Sequence, residues 1–303
     1  MSWIIIALIA PFIWSIVNHV DKYLVSKYFK GGIGALMIFV GVIALPLALI
    51  IFVFSPDVFT VSIYDVALLL ATGLLYNMAV LLYLDALEKE DASLVVPFWQ
   101  LTPVFTYFFG LFLLSEQIEQ HKIIGGVIVL FGALLLSFKK RNGKLKLRKE
   151  IFYTMIVSSV YLALGNVLFK KAAVEDFSFW TSIFWNQVGM FLFGLICFAS
   201  TLYRQQFIKA LKENSKTIIG VNILEQIFET IGIIVNNYAI LLAPVAIIIL
   251  IEYSVQPLFV FLLGIIFTLL FPRFIKEDIS KKNLALKFVS ILIMAVGVYL
   301  VTN

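Results

Sequence analysis

The sequence predicts an all-α polytopic membrane protein, with ten transmembrane helices arranged as two inverted five-helix repeats. Three observations lead there. Of the 303 residues, 62% are hydrophobic and only 14% charged, and the mean hydropathy is +1.04; a soluble domain carries about a quarter of its residues as charges. The apolar residues also fall in unbroken blocks of about 18 to 25, the length that crosses a bilayer as a helix and too long and continuous for barrel strands. Finally, the chain repeats itself. Pro103-Val-Phe105-Thr-Tyr107-Phe-Phe-Gly110 is echoed by Pro257-Leu-Phe259-Val-Phe261-Leu-Leu-Gly264, Asn18 and Lys22 recur as Asn166 and Lys170, and Gly132 recurs as Gly297.

Ten spans follow in order: 3–20, 33–54, 64–84, 92–114, 122–138, 151–169, 179–202, 217–241, 245–271 and 284–301. Short charged segments separate them, and no soluble domain is left over. The first repeat covers 1–138, a basic linker 139–150, and the second repeat 151–303. The N-terminus lacks the basic region and small-residue cleavage site of a signal peptide, so 3–20 reads as a span. All but three of the 23 Lys and Arg lie on the side of the loops after spans 1, 3, 5, 7 and 9; the exceptions are Lys122, Lys170 and Lys171. The positive-inside rule puts the basic side, linker included, in the cytoplasm and both termini outside. Five spans per half force the two copies into opposite orientations, a carrier architecture that sets a site near the midplane between the halves.

The polar residues inside these spans are the informative ones. An acidic group at the centre of a membrane helix costs roughly 2.5 to 3.5 kcal/mol on insertion scales, yet 217–241 holds Asn222, Glu225, Glu229 and Asn236, and 245–271 holds Glu252 and Gln256. At about 100° per residue, Asn222, Glu225, Glu229, Gly232 and Asn236 fall on one stripe within about 60° of Glu225. A buried polar network that locks helices together is the bland reading of this stripe; lining a cavity is the favoured one, because acidic groups at this depth mark pathways more often than they act as glue. Two carboxylates one turn apart in a poorly solvated site cannot both ionise cheaply, which suits exchange of a proton for a cation.

Further candidates for the lining are Trp14, Asn18, Tyr76, Asn77, Trp99, Gln100, Tyr161, Asn166 and Tyr253; each aromatic is equally well read as an interface anchor, whereas the deep amides Asn77 and Gln100 find no partner in hydrocarbon. Pro103 and Pro257, matched between the halves, read as bends or hinges, since proline frees a carbonyl that must face a partner helix or water. Elsewhere the bland readings hold. The linker sets orientation, Lys22, Lys170 and Lys171 snorkel to the interface, and Gly125, Gly126 and Gly132 allow close helix packing. The lone Cys197, and His19 and His121 near opposite span ends, offer no metal or redox site. No cofactor motif or nucleotide fingerprint is present, and no basic patch interleaved with aromatics suggests nucleic acid.

The stretch 86–116, with Ala92-Ser93-Leu94, Leu101-Thr102-Pro103 and Leu114-Ser115-Glu116 followed by Gly125 and Gly132, together with Trp14-Ser15, resembles the EamA domain of the drug/metabolite transporter superfamily. Two EamA-like halves cover essentially the whole chain. The resemblance implies a ten-helix carrier whose cavity is lined by spans 1, 3, 4, 6, 8 and 9, in a family that moves amino acids, other metabolites or toxic compounds, often outward. Two departures stand out: the family's Gly-Glu after the fourth span is Ser115-Glu116 here, and its second copy is replaced by the longer segment 272–277. Family members also often place their termini inside, against the orientation the loop charges give.

These readings lead to a secondary transporter of the cell membrane that exports a small amino-acid-like or cationic metabolite by alternating access, with protons as a candidate coupling ion. A lipid-linked sugar or lipid flippase is the alternative within transport, and a non-transporting sensor or assembly factor the alternative of another class. No pair of nucleophile and base suggests an enzyme. The expected partners are the lipid bilayer and a small-molecule substrate. A monomer is sufficient, and a homodimer stays open.

Overall fold

The computed structural model describes residues 2–29, 32–89, 96–137, 149–173, 178–270 and 281–302. Eleven α-helices account for most of them: α1 (Ser2–Lys27), α2 (Ile33–Phe54), α3 (Ile63–Lys89), α4 (Thr102–Leu114), α5 (Gln120–Ser137), α6 (Lys149–Ala173), α7 (Phe179–Ala199), α8 (Thr201–Glu213), α9 (Lys216–Leu242), α10 (Val245–Leu270) and α11 (Lys281–Thr302). Two short 3₁₀ turns, Pro56–Phe59 and Val96–Leu101, complete the order, and no strand occurs among the described residues. Among the described residues, seven helices are long and apolar enough to cross a membrane: α1, α2, α3, α6, α7, α9 and α10. Three shorter apolar helices, Phe98–Leu114, Gln120–Gly132 and Phe288–Leu300, fall on the predicted spans 4, 5 and 10. The all-helical membrane class is thus borne out. The linker up to Arg148, Ala92-Ser93-Leu94, the segment 272–277 and the side chain of Lys22 lie outside the described residues.

Local sequence explains where the elements start and stop. Ser178 and Ser215 cap α7 and α9, their hydroxyls accepting from Trp180 N and Ile218 N at 3.3 Å. The predicted span 4 is not one helix. Pro97 and Pro103 lie six residues apart, each lacking an N–H and restricting its predecessor, so the chain runs as a 3₁₀ turn to Leu101 and only then enters α4. At the far end of α4, Ser115 sits at φ 55°, ψ 27°, and Glu116 N donates to Gly110 O at 3.2 Å, the closing bond of a left-handed helix cap. The predicted span 7 also ends early: α7 stops at Ala199, and the polar stretch behind it folds as the amphipathic α8 rather than a loop. Gln206 of α8 accepts from Gly34 N at 2.9 Å, and Phe207 meets Phe39 edge-on, laying α8 across the start of α2.

Most extensive packing occurs between α5 and α11, α2 and α7, α3 and α6, and α1 and α9, followed by α3–α7, α1–α10, α4–α6, α2–α8 and α4–α10. Without a hydrophobic drive between lipid-facing helices, such contacts depend on close backbone approach. At the α2–α7 crossing, a Cβ on Gly194 would stand 2.6 Å from the Cα of Gly41. At the α5–α11 crossing, one on Gly132 would meet Met294 at 2.6 Å, and one on Gly297 would meet Val129, so the glycines that recur between the halves touch the partner helix. The polarity of the bundle is inverted relative to a soluble protein. Large apolar side chains such as Phe112, Ile196, Leu224 and Leu270 are exposed, while Asn77, Gln187, Asn222 and Glu252 are buried.

Candidate functional site

Helices α1, α2, α3, α6, α7, α9 and α10, with the 3₁₀ turn before α4, enclose two adjoining cavities of about 90 and 30 Å³ that share Trp14, Tyr76, Leu162, Glu252 and Tyr253. The larger brings together ten of the residues singled out from the sequence: Trp14, Asn18, Tyr76, Asn77, Trp99, Glu225, Glu229, Glu252, Tyr253 and Gln256. Asn166 and Asn236 line the smaller one, as does Tyr161, and Asn236 Nδ2 donates to Asn166 Oδ1 at 3.4 Å.

The carboxyls are held in a defined pattern. Tyr76 Oη donates to Glu229 Oε1 across α3 and α9. Gln226 Nε2 donates to Glu225 Oε2 at 2.6 Å, and Asp21 of α1 lines the same cavity. Glu252 is only 2% exposed, and its Oε2 has no hydrogen-bond partner. Its neighbours on the aromatic side are fixed. Trp99 stacks on Tyr83 with centroids 3.9 Å apart, meets Tyr253 edge-on at 6.4 Å, and donates from Nε1 to Ser158 Oγ at 3.1 Å. Ser158 Oγ in turn donates to Ala79 O at 2.9 Å, so α6 holds the indole against α3.

Gln100 is a correction: it lines neither cavity. Its Nε2 donates to Tyr253 O at 2.8 Å, the carbonyl that would accept from residue 257 in an unbroken helix and that Pro257 leaves open. Gln100 is therefore the partner helix that the proline needs, supplied by the other half of the chain. Pro257 stands inside the continuous α10, whereas Pro103 stands in the first turn of α4; the two are not the same kind of bend. Asn77 touches the cavity, but its Nδ2 is spent on Met190 O at 3.1 Å, leaving Oδ1 unpartnered.

Several lining residues were missed by the sequence reading. Asp21 was set just beyond the first span, but α1 continues to Lys27 and carries it inside. Gln226 lies next to Glu225 and off the chosen stripe. Thr72, Asn186 and Asn237 line the smaller cavity, with Asn186 Nδ2 donating to Thr72 Oγ1 at 2.7 Å. Lys170 is a further correction, because it does not snorkel. Its side chain is 13% exposed; Nζ lies 2.6 Å from Glu116 Oε1 and donates to Ala243 O at 2.6 Å, while Glu116 Oε2 accepts from Val245 N at 2.9 Å. The cluster ties the ends of α4 and α6 to the α9–α10 turn.

A bundle of apolar helices folded around an acidic and amide-lined cavity defines the class: a polytopic membrane protein. Residues 1–138 match the EamA-like transporter family, so the resemblance carried by the 86–116 stretch is borne out for the first half of the chain, and the match points to a membrane transporter of the drug/metabolite type. No curated protein matches the sequence. One solved protein structure, described only as a crystal structure, is similar with a TM-score of 0.69 over 100% of this chain and 96% of its own. At 16% identity that likeness concerns the fold alone.

Proposed function

We propose that the protein is a secondary active transporter that exports a small amino-acid-like or cationic metabolite by alternating access of two inverted five-helix halves, 1–138 and 151–303, with proton exchange at its carboxyls. The observation that carries the reading is the meeting of Glu225 and Glu229 from α9, Glu252 and Gln256 from α10, Trp14 and Asn18 from α1 and Tyr76 and Asn77 from α3 around one cavity. Residues of both halves face each other there, and carriers bind their cargo between repeats.

The helix pairings support a two-fold relation between the halves. Exchanging α1 with α6, α2 with α7, α3 with α9, α4 with α10 and α5 with α11 turns the α1–α9 contact into α6–α3 and the α1–α10 contact into α6–α4. It leaves α2–α7, α4–α10 and α5–α11 unchanged. The amphipathic α8 stands outside this exchange. Loop charge supports termini outside and a cytoplasmic linker, and Asp21, Glu225 and Glu229 gathered in one cavity support a site where a cation and a proton compete.

The test is counterflow in proteoliposomes across pH. Wild-type protein is expected to accumulate substrate in exchange for protons, and Glu229→Gln to lose the pH dependence. Wild-type transport with unchanged pH dependence in that variant would remove the coupling role. For sidedness, single cysteines placed near Met1 and in the linker are labelled from outside intact cells; reactivity confined to the linker would reverse the orientation.

A further inference from the structure

We infer that the larger cavity is built for a linear organic dication, a diamine or longer polyamine, rather than for a zwitterion or a monovalent cation. The inference rests on the transporter reading for its setting, and it narrows the cargo. Four carboxyls line this cavity, Asp21, Glu225, Glu229 and Glu252, and among the described lining residues of both cavities there is no Lys, Arg or His. The carboxylate of a zwitterion would therefore meet no cation there and would face four acidic groups.

Among the cavity-lining residues, the unmet hydrogen-bonding capacity is three acceptors, Glu252 Oε2, Asn77 Oδ1 and Asn186 Oδ1, against one donor, Trp14 Nε1. Glu229 already accepts from Tyr76, and Glu225 from Gln226. Glu252 Oε2 has no partner although the residue is 2% exposed, and Asn77 Oδ1 has none at 0%. A buried carboxylate left in that condition is strongly unfavourable, and a primary ammonium, with three N–H donors, supplies what both atoms lack. One such group can answer Glu252 on α10. The remaining acidic groups on α9 call for a second positive centre.

Geometry sets the spacing and the linker. With the first ammonium at Glu252 on α10, Glu225 and Glu229 stand four residues of helical rise apart on α9, about 6 Å along the backbone, a row of acceptors for the second charge of a diamine and the further charge of a longer polyamine. An aliphatic chain between the charges matches walls that carry no hydrogen-bonding group, Met37, Val40 and Leu84 on one side. On the other, the rings of Trp99 and Tyr253 offer π surfaces that favour ammonium groups over anions.

The experiment is equilibrium binding to purified full-length protein in lipid nanodiscs, with butane-1,4-diamine and spermidine set against butylamine and 4-aminobutanoate. Butylamine keeps the chain and one charge, whereas 4-aminobutanoate replaces the second ammonium by a carboxylate. Both polyamines are expected to bind at least tenfold more tightly than butylamine, with 4-aminobutanoate weakest. Glu252→Gln should erase that preference while retaining the wild-type melting temperature within a few degrees; if the variant is misfolded, Glu229→Gln provides the same comparison. Equal affinity for butylamine, preference for 4-aminobutanoate, or no binding of any of the four overturns the inference. Counterflow of the bound diamine separates this outcome from the transporter reading. Selective binding without flux would leave the site assignment standing and remove the carrier, while flux of another solute without diamine binding would do the reverse.

Discussion

Ser115 is a residue whose identity and conformation disagree. It closes α4 at φ 55°, a region that costs an ordinary L-residue roughly 1 kcal/mol or more and glycine almost nothing. Ser115→Gly is therefore expected to raise stability by about 1 kcal/mol, measured as an upward shift in thermal unfolding of the purified protein. Gln100 shows the opposite case, a side chain whose value lies in one hydrogen bond. In Gln100→Leu, Tyr253 O loses its donor at a proline bend, and an unsatisfied buried carbonyl costs roughly 1 to 3 kcal/mol. Melting of that variant should fall accordingly, and if it stays at the wild-type value, water has taken the place of the amide.

At the scale of elements, crossings and ties decide how the helices sit. The α2–α7 crossing leaves no room for a side chain between Gly41 and Gly194. Gly194→Leu must push the helices apart, at a cost of about 1 to 3 kcal/mol for overpacking before any functional loss. The Glu116–Lys170 tie is different in kind, because its partners are charges and backbone groups shielded from solvent. In Glu116→Gln the Lys170 ammonium keeps Ala243 O but loses its counter-ion, and breaking one partner of a shielded pair costs roughly 3 kcal/mol. Loss of stability with retained ligand binding is the expected outcome, since neither residue lines a cavity; thermal unfolding and binding measured on one preparation check it.

Taken whole, the molecule is a bundle whose polar groups converge inward on cavities shared by both halves. The acidic residues of α9 and α10 face the aromatic residues of α1, α3 and the turn before α4, so changes on either side of the cavity should be coupled. A double-mutant cycle of Tyr76→Phe with Glu229→Gln is expected to show non-additive effects on ligand binding of 0.5 kcal/mol or more, because the two share a hydrogen bond; additivity would disconnect them.

The membrane class, the position of the apolar segments and many of the polar residues of the cavity lining were legible in the sequence, because hydrocarbon permits only helices and penalises each polar group it contains. That penalty is why Glu225, Glu229, Glu252 and Gln256 could be picked out by residue type alone. What the tertiary structure decided depends on contacts distant in sequence. Asp21 joined the site only because α1 runs past its apolar stretch and meets α9. Gln100 left it because Pro257, on another helix, exposes a carbonyl that only that amide reaches. Lys170 is a tie rather than an interfacial anchor because Glu116 and the α9–α10 turn arrive beside it. Composition tells which groups must avoid lipid; only the packing of one helix against another tells which of them find a partner and which are left facing the cavity.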